Sequence, residues 1–249
     1  SDVCSSDLML TVLDANTDRR RTVTLERAEI ELDLVTWQRL PGSDVAYVRI
    51  SAFSKGASED LEKTLAEIQE QQIHGLILDL RNNPGGLLDE AVGVVSQFVE
   101  TGNALLRRGA DKETRAVPVN EDVEAVDLSL VALSNGGTAS AAEIIVGALQ
   151  DHNRAIVVGK TTFGAGTVLN QFTLSDGSVL LLAVEEWLTP DGRVIWQEGL
   201  APDVQVALPQ DAEPLLRLRE QEITQPELEN SGDAQLLHAL DLLQGSEGG

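Results

Sequence analysis

Apolar and polar positions along the chain fall into a regular succession of elements. Residues 9–13 and 22–25 alternate about the polar stretch Asp14-Ala15-Asn16-Thr17-Asp18, which predicts a β-hairpin. Residues 29–35 alternate Ile30, Leu32 and Leu34 with acidic side chains. The segment 45–50 (VAYVRI) reads as a strand, and Leu61, Leu65 and Ile68 recur at helical spacing within a helix over 59–71, with Ser58 as its candidate N-cap. Residues 75–80 are apolar except for Asp79, the pattern of a strand in a sheet covered on both faces, and a helix is predicted over 87–99. The stretch 101–126 is polar and irregular and predicts a surface excursion with short strands. An apolar run at 131–133 ends in the turn Ser134-Asn135-Gly136-Gly137, after which Ile144, Ile145, Ala148 and Leu149 mark a helix. A strand over 155–158 leads into the glycine-rich turn Thr162-Phe163-Gly164-Ala165-Gly166-Thr167. Segments 171–174 and 179–185 flank Ser175-Asp176-Gly177-Ser178 as a second hairpin, and a short strand pair is predicted around Pro190-Asp191-Gly192. A short helix and loop over 209–225 and a helix over 233–243 close the chain before a flexible tail at 246–249. No internal repeat is visible. Strands alternating with helices predict an α/β fold, a mixed sheet flanked by helices.

Composition narrows the function classes. Aromatic residues make up 3% of the 249 residues, so the core must rest on Leu, Val, Ile and Ala. Eighteen basic against 41 acidic residues give a net charge of −23, which repels nucleic acid and anionic membranes and excludes phosphate-backbone binding. No apolar run approaches the roughly 18 residues of a membrane span. The single Cys4 excludes an internal disulfide and any multi-cysteine metal site, and neither a metal nor a cofactor is expected. Residues 1–8 (SDVCSSDL) can be back-translated into a common sequencing-library adapter and are read as non-native, so the true N-terminus is expected upstream.

The candidate chemistry sits at Ser140. A small residue at a strand-to-helix turn can lift its hydroxyl into solvent, beside helix-start N–H groups suited to negative charge. Taken alone, the same serine reads more readily as an ordinary N-cap. A dinucleotide-binding reading of the turn at Gly85-Gly86 fails, because the G-x-G-x-x-G spacing is missing.

The surrounding motifs change the weighing. NGGTASAAEI (135–144), GALQDHNRAIVVG (147–159) and TFGAGT (162–167) resemble the C-terminal processing, or tail-specific, serine peptidases. So do GLILDLRNNPGG (75–86), LTPDGR (188–193) and GLAPD (199–203), and the resemblance covers most of the chain. It implies a crotonase-like or ClpP-like peptidase core over 33–245. It also implies that residues 9–32 are the last strands of a PDZ domain most of which is missing. Ser140 falls on the family's nucleophile, and the backbone N–H groups of Ala141 and of Gly85 or Gly86 fall on its oxyanion hole. Glu143, Asp151 and Arg154 match positions that support the helix and the loop beneath the site. The family's general-base lysine, however, falls on Ala165, and its glutamine four residues later falls on Leu169. Lys160 is the candidate alternative base, since His152 lies about three helical turns from Ser140 and should point elsewhere.

A serine hydroxyl is a poor nucleophile until a neighbour takes its proton, and alanine takes none. Ala165 is open to three explanations: an engineered inactivation, a natural branch using another base, or a pseudo-peptidase that only binds unstructured C-termini. The departure at Leu169 favours a natural variant over a single engineered change. The resemblance therefore implies a serine endopeptidase acting near the C-termini of proteins, or a silent peptide-binding module on the same scaffold. The partners are protein or peptide substrates with unstructured C-termini, the location is extracytoplasmic, and the oligomeric state is left open.

Overall fold

The strand predicted to be buried on both faces anchors the architecture. A computed structural model describes residues 8–14, 19–25, 33–123, 125–209, 212, 214–216 and 223–245, and the chain divides into two units, Ser1–Asp33 and Leu34–Gly249. In the first unit β1 (Leu8–Leu13) pairs antiparallel with β2 (Arg20–Leu25), and Asp14 N–H donates to the Arg19 carbonyl at 2.9 Å as the strands part. The non-native reading of 1–8 falls almost wholly outside the described residues, as do the tail at 246–249, much of the alternating segment 29–35 and much of the predicted helix at 209–225.

In the second unit β3 (Val35–Arg39), β4 (Val45–Ile50), α1 (Ala57–Gln69), β5 (Gly75–Asp79) and α2 (Leu88–Ser96) come first. They are followed by β6 (Asn103–Gly109), β7 (Thr114–Pro118), β8 (Ser129–Ser134), α3 (Ala141–Asp151) and β9 (Ile156–Gly159). Last come β10 (Thr167–Thr173), β11 (Val179–Leu188), β12 (Val204–Gln205), α4 (Gln225–Glu229) and α5 (Ala234–Gly245). The main sheet has the order β12-β9-β8-β5-β4-β3, parallel throughout except for the antiparallel β3.

Strand order follows chain order without reversal. Successive crossovers of one hand then lay their helices on one face. Alternate side chains sort accordingly. Ala46, Val48, Ile50, Leu76, Leu78 and Ala132 face α1, α2 and α3. Val45, Tyr47, Ile77, Val131, Leu133 and Val158 face α5 through Leu236, Ala239, Leu240 and Leu243. A strand covered on both sides must be apolar at nearly every position, and that is why β5 carried so clear a signal.

Three local expectations change. The first turn of α1 is capped from elsewhere: Gly56, at φ 98°, is the N-cap, and the Glu90 carboxylate of α2 accepts the Gly56 and Ser58 N–H groups at 2.9 Å each. The polar stretch after α2 is more than a surface excursion. β6 and β7 join β10 and β11 in a four-stranded antiparallel sheet of order β10-β11-β6-β7, and Ala104, Leu105 and Val119 are buried. The strand pair expected around Pro190 reduces to one bridge, Leu188 to Val194. Among the described residues no helix is long and apolar enough to cross a membrane.

Candidate active site

The loops after the parallel strands β5, β8 and β9, which carry RNNPGG, NGGTAS and TFGAGT, converge at the C-terminal ends of those strands. The loop after β5 is held from below by Arg81, which is completely buried. Its Nη2 donates to Asp79 Oδ2 at 2.7 Å and its Nη1 to Asp233 Oδ1 at 2.8 Å. Tyr47 Oη also donates to Asp79, at 2.6 Å. Burial alone pulls the Arg81 pKa down, but the Asp79 and Asp233 carboxylates outweigh it and hold the guanidinium above its ordinary value. Burial and then the Asp79 charge push the Tyr47 phenol well above its ordinary value. Asp79 broke the apolar run in the sequence, and this network is its reason for being there.

Above that network the β5 and β8 loops are stitched together. Thr138 Oγ1 donates to the Leu80 carbonyl at 2.8 Å, Asn82 N–H to Asn135 Oδ1 at 3.0 Å, and Ala139 N–H to the Asn83 carbonyl at 2.9 Å. Gly85 is pressed against the candidate nucleophile. A Cβ there would lie 2.7 Å from Ser140 Cβ and 2.8 Å from Ala141 N, and its φ of +94° already favours glycine.

The amides near Ser140 have different fates. Gly85 N–H is donated to Asn83 Oδ1 at 2.8 Å. The bridge to Phe53 uses the Gly85 carbonyl (2.9 Å) and the Leu87 N–H (2.7 Å), so the Gly86 N–H points away from it. Among the described residues neither the Gly86 N–H nor the Ala141 N–H has a hydrogen-bond partner. Of the two glycines left open by sequence, Gly86 is the one whose donor is free.

Ser140 itself adopts φ 54° and ψ −121°, a conformation that a residue with a side chain rarely takes without tertiary support. It precedes α3 and donates its N–H to Glu143, half of a capping box, while its side chain makes no hydrogen bond that caps the helix. The Glu143 N–H goes instead to the Ser140 carbonyl at 2.8 Å.

Glu143 lies at the centre of this arrangement. It is fully buried, and four donors converge on it. Oε2 accepts Ser140 N–H at 2.9 Å and Ala165 N–H at 2.8 Å, while Oε1 accepts Thr162 Oγ1 at 2.5 Å and Gly164 N–H at 2.7 Å. One carboxylate oxygen thus joins the backbones of residues 140 and 165, whose nitrogens lie within about 6 Å of each other. Ala165, the residue where the resemblance implies a lysine, is thus tied through its backbone to the Ser140 turn.

The other residues singled out by sequence lie further away. Asp151, at the far end of α3, accepts the Asp191 N–H at 2.8 Å and pairs with Arg193, fixing the 189–193 turn. Arg154 donates to the carbonyls of Phe98 (2.9 Å), Val126 (2.8 Å) and Leu128 (2.9 Å), and burial lowers its pKa. His152 Nε2 contacts the Asn103 carbonyl at 2.8 Å, away from Ser140 as expected. Lys160 is exposed. Its backbone pairs with Ser134, but no hydrogen bond or ion pair holds its side chain toward Ser140. Leu169 is 57% exposed on β10. Among the described residues no cluster of three His, Cys, Asp or Glu could hold a metal ion.

Ser140 thus sits on a strained strand-to-helix turn with two unpartnered amides nearby and Gly85 packed against it. The sequence matches the profile of Peptidase family S41 over residues 44–206, and the chain belongs to that family. The carboxyl-terminal-processing protease of Synechocystis sp. is 37% identical over 97% of this chain and 54% of its own length. A probable CtpA-like serine protease of Staphylococcus epidermidis is 36% identical over 77% of this chain and 39% of its own. The chain therefore spans about half, or less, of the curated relatives it matches. Among solved structures, a photosystem II D1 C-terminal processing protease superposes with a TM-score of 0.66 at 31% identity, covering 83% of this chain and 58% of that one. Mature CPAF shares the fold with a TM-score of 0.62 at 14% identity, covering 100% of this chain and 69% of that one.

Proposed function

We propose that the chain is the core of a serine endopeptidase that cleaves protein substrates near unstructured C-termini. Ser140 attacks the scissile carbonyl, and the N–H groups of Ala141 and Gly86 receive the developing oxyanion. The observation that carries this reading is the pair of unpartnered amides next to a serine held off its own cap. Helix-start amides left without a cap are otherwise an unbalanced cost.

The proton has no obvious acceptor at position 165, so the base is another group, and Lys160 is the candidate on the chain. A second reading rests on Ala165 itself: a pseudo-peptidase that binds C-terminal peptides without turnover, since losing a member of such a catalytic unit costs orders of magnitude in rate. In either case residues 9–32 are the last strands of a PDZ domain, residues 33–245 the peptidase core, and the location is extracytoplasmic. Resemblance supports these three statements.

A fluorophosphonate label separates the readings. Labelling of the wild type that disappears in Ser140→Ala supports the enzyme. No labelling, together with binding of a C-terminal peptide, supports the module. Ala165→Lys then places an amine within reach of Ser140. A gain of at least about tenfold in labelling rate is expected if the rest of the machinery is intact, and no gain would show that the amides are not positioned for catalysis.

A further inference from the structure

The hairpin that follows Ala165 is built unlike the rest of the surface. β11 meets β6 only through Glu185–Leu188, so the outer part of β10 and β11 projects as a two-stranded ribbon, and every residue from 169 to 183 is exposed. The exposed side chains include Leu169, Phe172, Val179 and the run Leu180-Leu181-Leu182. A bare two-stranded ribbon with apolar groups on both faces is poorly stable in water and marks an interaction surface.

Charge identifies the partner. In a chain of net charge −23, the stretch LNQFTLSDGSVLLLA carries one ionised side chain, Asp176, at the turn. A cationic partner would find almost nothing there to pair with. An identical chain is repelled from every acidic part of this surface but not from this one. The edge points the same way. β10 ends its sheet, its segment TVLNQFT has no charge and no proline to blunt it, and no backbone bond from another described element reaches its outer side between 168 and 173. The bulge in the hairpin inserts its extra residue, Val184, on β11, which leaves β10 regular.

We propose that two copies of the chain associate through this ribbon, pairing their β10 edges antiparallel about a two-fold axis. With Asn170 at the axis, Thr167 faces Thr173, Val168 faces Phe172, and Leu169 faces Gln171. Every cross-strand pair is then uncharged, and Val168 meets Phe172 across the axis. The contact joins two four-stranded sheets into one of eight strands. It does not depend on what Ser140 does.

Sedimentation equilibrium of the 249-residue chain from about 1 to 100 µM tests this. The mass should rise toward twice 26.7 kDa. Phe172→Asp and Leu169→Asp alter exposed side chains of β10 and act twice across the axis, so each should weaken association at least about tenfold. In a Cys4→Ser background, Asn170→Cys should cross-link two chains under mild oxidation. Thr173→Cys should not, because its own counterpart lies six residues along, about 20 Å away. A monomer throughout the range, a dimer that withstands both aspartates, or equal cross-linking at 173 would each overturn the proposal.

Discussion

Replacing Glu143 by glutamine removes almost no volume and tests the clamp that joins the nucleophile's turn to the 165 loop. The carboxylate accepts three backbone N–H groups and one hydroxyl, all at 2.9 Å or less, in a fully buried position. An amide offers one acceptor oxygen. If that oxygen keeps Ser140 and Ala165, the new NH2 group faces the Gly164 N–H and the Thr162 hydroxyl, whose oxygen already accepts the Leu200 N–H at 2.8 Å. One buried donor is then orphaned at about 1–3 kcal/mol, and the remaining bonds lose their charge assistance, so the expected loss is about 3–5 kcal/mol. Against a typical stability of about 5–15 kcal/mol the variant stays folded at 25 °C. Urea denaturation should show a lower midpoint with an unchanged m value. Hydrogen exchange of the Gly164 amide, which loses its acceptor, should accelerate far more than that of β5 or β8. A loss under about 1 kcal/mol, or one that leaves the Gly164 amide protected, would mean that the Glu143 carboxylate does not hold the 165 loop.

Two other perturbations read the same region. Gly85→Ala should cost about 2–4 kcal/mol, from its φ of +94° and the contact with Ser140 Cβ at 2.7 Å, whereas Gly136→Ala meets no atom within 4 Å and should be nearly silent in the same thermal unfolding assay. Tyr47 carries a pH prediction. Its folded pKa is raised by burial and by Asp79, so its contribution is fully present below about pH 10, the unfolded value, and is lost as pH rises beyond it. Tyr47→Phe should lose about 1–2 kcal/mol at pH 7 with its bond to Asp79, then decline less steeply than wild type above pH 10. Parallel stability curves between pH 9 and 11 would show that the phenol does not control the alkaline limb.

Much of the fold was legible in the residue order because local rules and global packing agree. The strands 45–50 and 75–79 and the helix after Ser140 could be read from apolar periodicity, since a sheet covered on both faces leaves little room for polar side chains. Asp79 stood out as an exception. Its network with Arg81, Asp233 and Tyr47 could not be foreseen, because it joins residues more than 150 positions apart in the chain. Ser58 was misread as a cap because the actual acceptor, Glu90, comes from another helix. The polar 101–126 stretch hid a second sheet, whose strands bury only a few side chains each and so leave a weak pattern.

The amino-acid order supplied the strand–helix alternation, and its motifs made Ser140 a candidate and put alanine where the resemblance implies a lysine. Which glycine amide is free, and that Glu143 ties residue 140 to residue 165, came only with the folded chain. Those facts depend on three loops meeting at one end of a parallel sheet, and local sequence carries no record of where a distant loop will end.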